Sequence, residues 1–163
     1  MTRSTFVLAA ALSLMAGAAG AEDYTIGTIR IANPWARATP RGADIAGAYM
    51  TVRNTGKAPD RLVGGSTDVA ARFEMHQMLM ERGVMKMRPV ERGLEIKPGQ
   101  TIEFKPGSFH VMLVGLKQPL EKGQHIKATL EFEKAGKIEI EYAVEAIGAS
   151  GAPAGGHSGH TGH

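Results

Sequence analysis

Nine methionines and six histidines stand in this chain beside no cysteine at all. They are concentrated. One stretch carries Met75-His76-Gln77-Met78-Leu79-Met80, then Met85-Lys86-Met87, then His110-Val111-Met112. Three more histidines, His157, His160 and His163, close the sequence. Thioether sulfur and imidazole nitrogen without thiolate suit copper better than most other biological metals. Zinc would be expected to recruit Cys or carboxylate as well as His.

Strands must position these donors. Lys137 to Ala146 alternates, with Ile138, Ile140, Tyr142 and Val144 on one side and Glu139, Glu141 and Glu145 on the other. Ile126, Ala128, Leu130 and Phe132 repeat the pattern, as do Ile102 with Phe104, and Ala48 with Met50 and Val52. Turn signals punctuate the runs at Asn54-Thr55-Gly56, Arg82-Gly83, Pro98-Gly99, Pro106-Gly107, Lys122-Gly123 and Ala135-Gly136. Many short strands at regular spacing predict an all-β, antiparallel sandwich or barrel in a single domain.

In the run Phe109 to Val114, the residues Phe109, Val111 and Leu113 form the natural core face. His110 and Met112 therefore point the other way, because residues two apart share a strand face. Upstream, Arg72 to Met80 and Val84 to Val90 flank Glu81-Arg82-Gly83 and read as a hairpin. Cross-strand partners whose numbers sum to 163 would set His76 opposite Met87 and Met78 opposite Met85. All four would share one face, with Phe73, Met75 and Leu79 on the core side. A one-residue slip would break the arrangement. The expected metal ligands are His76, Met87, His110 and Met112. Met78 and Met85 are auxiliary candidates, and Met80 is a weaker one. Two imidazoles and two neutral thioethers suit Cu(I), and uncompensated charge favours a site that releases its metal. Met50 and Met75 read as core, since Met fills irregular gaps. Trp35 reads as an anchor in an Asn-Pro-Trp turn, and His125 as an ordinary solvated residue.

The ends carry separate expectations. Arg3, the apolar run Phe6 to Met15 and the small residues Ala19-Gly20-Ala21 read as a signal peptide over 1–21, with a mature start at Glu22. The run is too short and Ala-rich for a membrane span, and no Cys follows it to take a lipid. A soluble, periplasmic, monomeric product is expected, with a folded domain over 22–147. Losing Arg3 leaves eighteen basic against sixteen acidic residues, too small an excess to indicate nucleic acid or an anionic membrane as partner. Residues 148–163 are Gly, Ala, Ser and His with one Pro and one Thr, a composition expected to be disordered. Its imidazoles, without thioethers, favour Cu(II) and make His157, His160 and His163 an accessory metal site.

The chain resembles the periplasmic copper chaperone family PCu(A)C. The resemblance rests on Asn33-Pro34-Trp35-Ala36-Arg37, Gly47-Ala48-Tyr49-Met50, Met75-His76 through Gly83-Val84-Met85-Lys86-Met87-Arg88-Pro89-Val90, Pro106-Gly107-Ser108-Phe109-His110-Val111-Met112-Leu113, and Gly115-Leu116-Lys117-Gln118-Pro119-Leu120. These segments span nearly all of the expected domain. The family motif of a His, ten residues, a Met, about twenty-one residues, then His-x-Met falls on His76, Met87, His110 and Met112. Here twenty-two residues separate Met87 from His110, an extra residue that the Glu91 to Gln100 region can absorb. The resemblance implies a cupredoxin-like Greek-key fold. It also implies a copper carrier serving cytochrome c oxidase, with a Sco-type protein or the oxidase's copper-bearing subunit as partner.

Other functions fit less well. A blue-copper electron carrier needs a Cys ligand. A copper oxygenase using its amino-terminal His would need His where Glu22 stands. Nothing resembles a G-x-S-x-G hydrolase elbow. No enzyme is expected. The competing reading is a passive copper buffer without a specific acceptor.

Overall fold

The computed structural model describes residues 23–152. The expected signal peptide and the terminal histidines lie outside them. Eleven strands run in chain order: β1 (Tyr24–Ile26), β2 (Ile29–Arg37), β3 (Ile45–Asn54), β4 (Asp60–Thr67), β5 (Ala70–Glu81), β6 (Val84–Pro89), β7 (Leu94–Ile96), β8 (Thr101–Phe104), β9 (Phe109–Leu116), β10 (His125–Phe132) and β11 (Gly136–Glu145). No α-helix occurs among the described residues.

The strands join into one curled sheet in the order β6-β5-β9-β8-β3-β2-β11-β10-β4-β7, with β1 paired to β2 and a further β3–β9 pairing. Beyond the hydrogen-bonded ladder, β4 packs against β5, which gives an open, barrel-like form. Gly65 of β4 permits this approach. A Cβ there would stand 3.0 Å from the Phe73 ring and 2.6 Å from the Thr129 carbonyl oxygen.

The all-β expectation holds, and its alternation holds along β8, β10 and β11. Ile126, Ala128, Leu130 and Phe132 are buried together, as are Ile140, Tyr142 and Val144. Met50 and Met75 are core residues. Two details differ from the sequence reading. The sheet is mixed, because β11 runs parallel to β2 and β8 parallel to β9. Trp35 sits within β2 rather than at a turn. Asn33, with a φ of 50°, marks a register shift between Ala32 and Trp35, a bulge that re-aims the strand without ending it.

That bulge matters for the site. Trp35 pairs with Tyr49 of β3, and their rings lie 4.5 Å apart. The Arg37 guanidinium covers the same Tyr49 ring and donates through Nε to the Ala149 carbonyl at 2.8 Å. Ala149 and Ala152 pack against the core, so the chain stays docked past residue 147. Asn54 is more than a turn residue. Fully buried, it donates to the Ala58 and Ile96 carbonyls and accepts from the Gly56 amide, tying β3 to β7.

Candidate metal centre

The histidine and methionine face is built where β5 lies between β6 and β9. Strand β5 is twelve residues long. Its first half is zipped to β9, and its second half continues outward with β6. His76 of β5 and His110 of β9 are direct cross-strand partners. Their rings stack with centroids 5.8 Å apart and planes inclined by 21°.

The two imidazoles are held by different atoms. His76 Nε2 lies 3.0 Å from Glu74 Oε2, so the N–H on that nitrogen donates to the carboxylate. This leaves Nδ1 with its lone pair. Among the described residues, His76 Nδ1 is the buried side-chain nitrogen or oxygen that finds no hydrogen-bond partner. His76 itself is only 9% exposed. An orphaned buried acceptor is costly unless something fills it. His110 is held the other way: Nδ1 lies 3.2 Å from the Ser108 carbonyl and donates to it, freeing Nε2. A ring nitrogen anchored by carboxylate or carbonyl leaves the opposite nitrogen to bind metal.

Electrostatics keep His110 competent as a ligand. Burial lowers the His110 pKa, partly offset by the Ser108 carbonyl and reinforced by nearby His76. His110 is thereby held neutral, the form that binds metal. Glu74 is kept ionised by its hydrogen bond to Arg72, with a second from His76; the Arg72 Nε–Glu74 Oε1 distance is 2.9 Å.

Met112 shares the His110 face. Its cross-strand neighbours are Glu74 on β5 and Gly47 on β3. Gly47 leaves room there for Tyr49, whose hydroxyl lies 2.7 Å from where a Gly47 Cβ would stand. A continuous band therefore crosses one sheet face, from Trp35 and Tyr49 through Met112 and His110 to His76.

The β5–β6 hairpin joins this band in a register the sequence reading missed by two residues. Partner numbers sum to 165, placing His76 opposite Pro89, Met78 opposite Met87 and Met80 opposite Met85. The turn decides this. Arg82 and Gly83 both have positive φ, 50° and 77°, so they are the central pair of a type I′ turn closed by Glu81 and Val84. A shift of two preserves parity, and the expected residues keep their common face. Met87, however, is a diagonal neighbour of His76 rather than its partner. Diagonal positions about 7–8 Å apart remain within reach of long side chains.

His76, His110 and Met112 are thus brought onto one face, with Met78 two residues along β5 from His76 and Met87 opposite Met78 on β6. Met80 and Met85 lie one rung farther out. His157, His160 and His163 lie outside the described residues. His125 is exposed, 3.9 Å from a Glu141 carboxylate oxygen on the far side of the sheet order. The sequence reading overlooked Glu74 and Ser108. Glu74 was legible in principle: a carboxylate two residues before a His on a strand shares its face. Among the described residues, no three of His, Asp and Glu converge as a metal site.

The chain is similar to proteins of known family and to solved structures. The family model described as "Putative lipoprotein LpqE-like" matches residues 29–144. A Leifsonia xyli subsp. xyli relative, "Putative lipoprotein Lxx21020", is 34% identical over 104 residues, covering 64% of this chain. The chain spans 61% of that curated relative's length. The copper-bound PCuAC domain from PmoF2 superposes with a TM-score of 0.66 at 32% identity, over 77% of this chain and 98% of that one. The solution structure of CuI-DR1885 from Deinococcus radiodurans aligns with a TM-score of 0.54 at 27% identity, over 80% of this chain and 83% of that one. With its family model covering most of the sheet, from β2 into β11, the chain belongs to the LpqE-like family, which is the PCu(A)C family.

Proposed function

We propose that this protein is a copper carrier that binds Cu(I) through His76 Nδ1, His110 Nε2 and the Met112 and Met87 thioethers. The observation that carries the reading is the His76–His110 cross-strand pair, with His76 Nδ1 buried, oriented and without a partner. Related domains of known structure are described as copper-bound and CuI-bound, which supports the choice of metal. Two imidazoles and two thioethers match a soft, monovalent ion that accepts tetrahedral geometry.

The arrangement suits holding and release rather than catalysis. All four ligands are neutral, so the ion's charge is not cancelled as it would be by thiolates. Met87 is half exposed at the edge of the sheet, where an incoming ligand can displace it. His110 and His76 are held beneath by Ser108 and Glu74. Exchange through the exposed methionine gives a route for passing copper to an acceptor, with the Sco-type protein or oxidase copper subunit as the proposed recipient. The designation of the Leifsonia relative as a lipoprotein accords with export, and we place the carrier in the periplasm. The terminal histidines are assigned to Cu(II) capture.

Replacing Met112 and Met87 together by Ile tests the site. Tight Cu(I) binding in a competition titration should be abolished while the fold persists; unchanged affinity overturns the assignment. Transfer from the loaded protein to an apo acceptor domain under reducing conditions tests the carrier role. Absence of transfer would favour the passive buffer.

A further inference from the structure

The β5–β6 hairpin carries methionines that the histidine site does not use. Met78-x-Met80 and Met85-x-Met87 are symmetric about the Arg82-Gly83 turn, and the observed register turns that symmetry into two Met–Met rungs on one face. Met80 is 64% exposed and Met85 45%. Val84 beside them is also exposed. Large apolar side chains standing out on an edge hairpin gain nothing from burial there.

The opposite face of the hairpin is organised for a different purpose. Glu81 Oε1 accepts from Arg88 Nε at 2.8 Å, and Glu81 Oε2 lies 3.0 Å from Lys86 Nζ. These residues alternate with the methionines, so their charges lie on the other side of the ribbon. The ion pairs pin the register from behind. The front is left with neutral sulfur donors.

We propose that Met80 and Met85, with Met78 as third donor, form a second Cu(I) site at the hairpin tip, separate from the His76–His110 site. Directly opposed residues have Cβ atoms about 4.5–5.5 Å apart. The next rung on the same face lies roughly 7 Å along the strand. Three flexible thioether arms can converge from those positions on one ion. An all-thioether set selects soft monovalent metal and excludes zinc or magnesium. Lacking imidazole and standing in water, it binds more weakly than the histidine site. Met78 is two residues from His76 and opposite Met87, so the tip leads rung by rung into that site. Copper arriving at the exposed end has sulfur donors along its path inward.

The test is Cu(I) titration of the full chain carrying His157, His160 and His163→Ala, which removes the tail as a competing site. A weak chromophoric Cu(I) chelator reports stoichiometry. Two equivalents are expected, the second moving the ¹³C-methyl resonances of Met78, Met80 and Met85. Adding Met80→Ile and Met85→Ile should remove the second equivalent and keep the first, with an amide NMR spectrum that retains the fold. Ile is well suited to exposed strand positions. A single equivalent in the parent, or a second that survives the double substitution, overturns the proposal. The Met112→Ile and Met87→Ile variant separates the two sites: loss of only the tighter equivalent supports both readings. Survival of that equivalent removes the histidine site and leaves the hairpin result to be judged by Met80 and Met85.

Discussion

Glu74 should govern copper affinity without touching copper. Its carboxylate lies 3.0 Å from His76 Nε2, which fixes the tautomer that leaves the buried Nδ1 with its lone pair. Replacing it by Ala frees the ring to protonate at Nδ1 and to rotate. Partners that orient metal-binding histidines are typically worth 10–100-fold in affinity. Glu74 is partly solvent-exposed and also shared with Arg72, so the lower end applies, about tenfold weaker Cu(I) binding. Glu74→Gln keeps an amide oxygen that can still accept from Nε2 and should fall between Ala and the parent. Competition titration gives the affinities. A long-range ¹H–¹⁵N spectrum of the apo protein should show His76 protonated at Nε2 in the parent and redistributed in Glu74→Ala. Affinity within twofold of the parent, with an unaltered His76 nitrogen pattern, would refute the positioning argument.

Other consequences follow from neighbouring contacts. Gly47→Ala drives a methyl into the Tyr49 hydroxyl, which is pinned against Trp35; denaturant melts should show a loss of about 1–3 kcal/mol, and Cu(I) binding should weaken as Met112 shifts. Arg82→Asn should stabilise the hairpin by about 0.5–1 kcal/mol, because Arg82 adopts a left-handed conformation that costs most residues roughly 1–2 kcal/mol and Asn tolerates it better; a higher melting temperature checks this. The His110 pKa is depressed by burial. Its neutral form therefore supports the folded apo state above the ordinary His range near 6.5, and that contribution is lost as pH falls through the lower folded value. The stability difference between the parent and His110→Gln should thus change with pH only on the acid side of about 6.5, as urea melts at stepped pH would show.

The alternation of apolar residues was enough to place β8, β10 and β11 and to assign Met50 and Met75 to the core. It also placed His110 and Met112 correctly, because Phe109, Val111 and Leu113 leave no choice of face. The hairpin register was harder. Parity follows from the pattern, but the exact pairing depends on Arg82 accepting a positive φ, which an Arg does not advertise. An Asn-Gly there would have signalled the type I′ turn. The bulge at Asn33 was hidden for the same reason, since Asn-Pro is equally a turn signal. The parallel pairing of β2 with β11 joins segments distant in sequence, and that of β8 with β9 joins strands that follow one another in the same direction along β3; local periodicity carries no information about either. Glu74 escaped notice because it is one of many charged residues, and only the paired strands reveal which ring it holds.

In the proposed site, imidazole nitrogen and thioether sulfur meet on one ion at this sheet face. X-ray absorption of the full chain loaded with less than one equivalent of Cu(I) examines this directly. Both imidazole and sulfur scattering are expected in the parent, with the sulfur shell lost when Met112 and Met87 are replaced by Ile. A copper environment without imidazole, or one whose sulfur shell is unchanged in that variant, would contradict it.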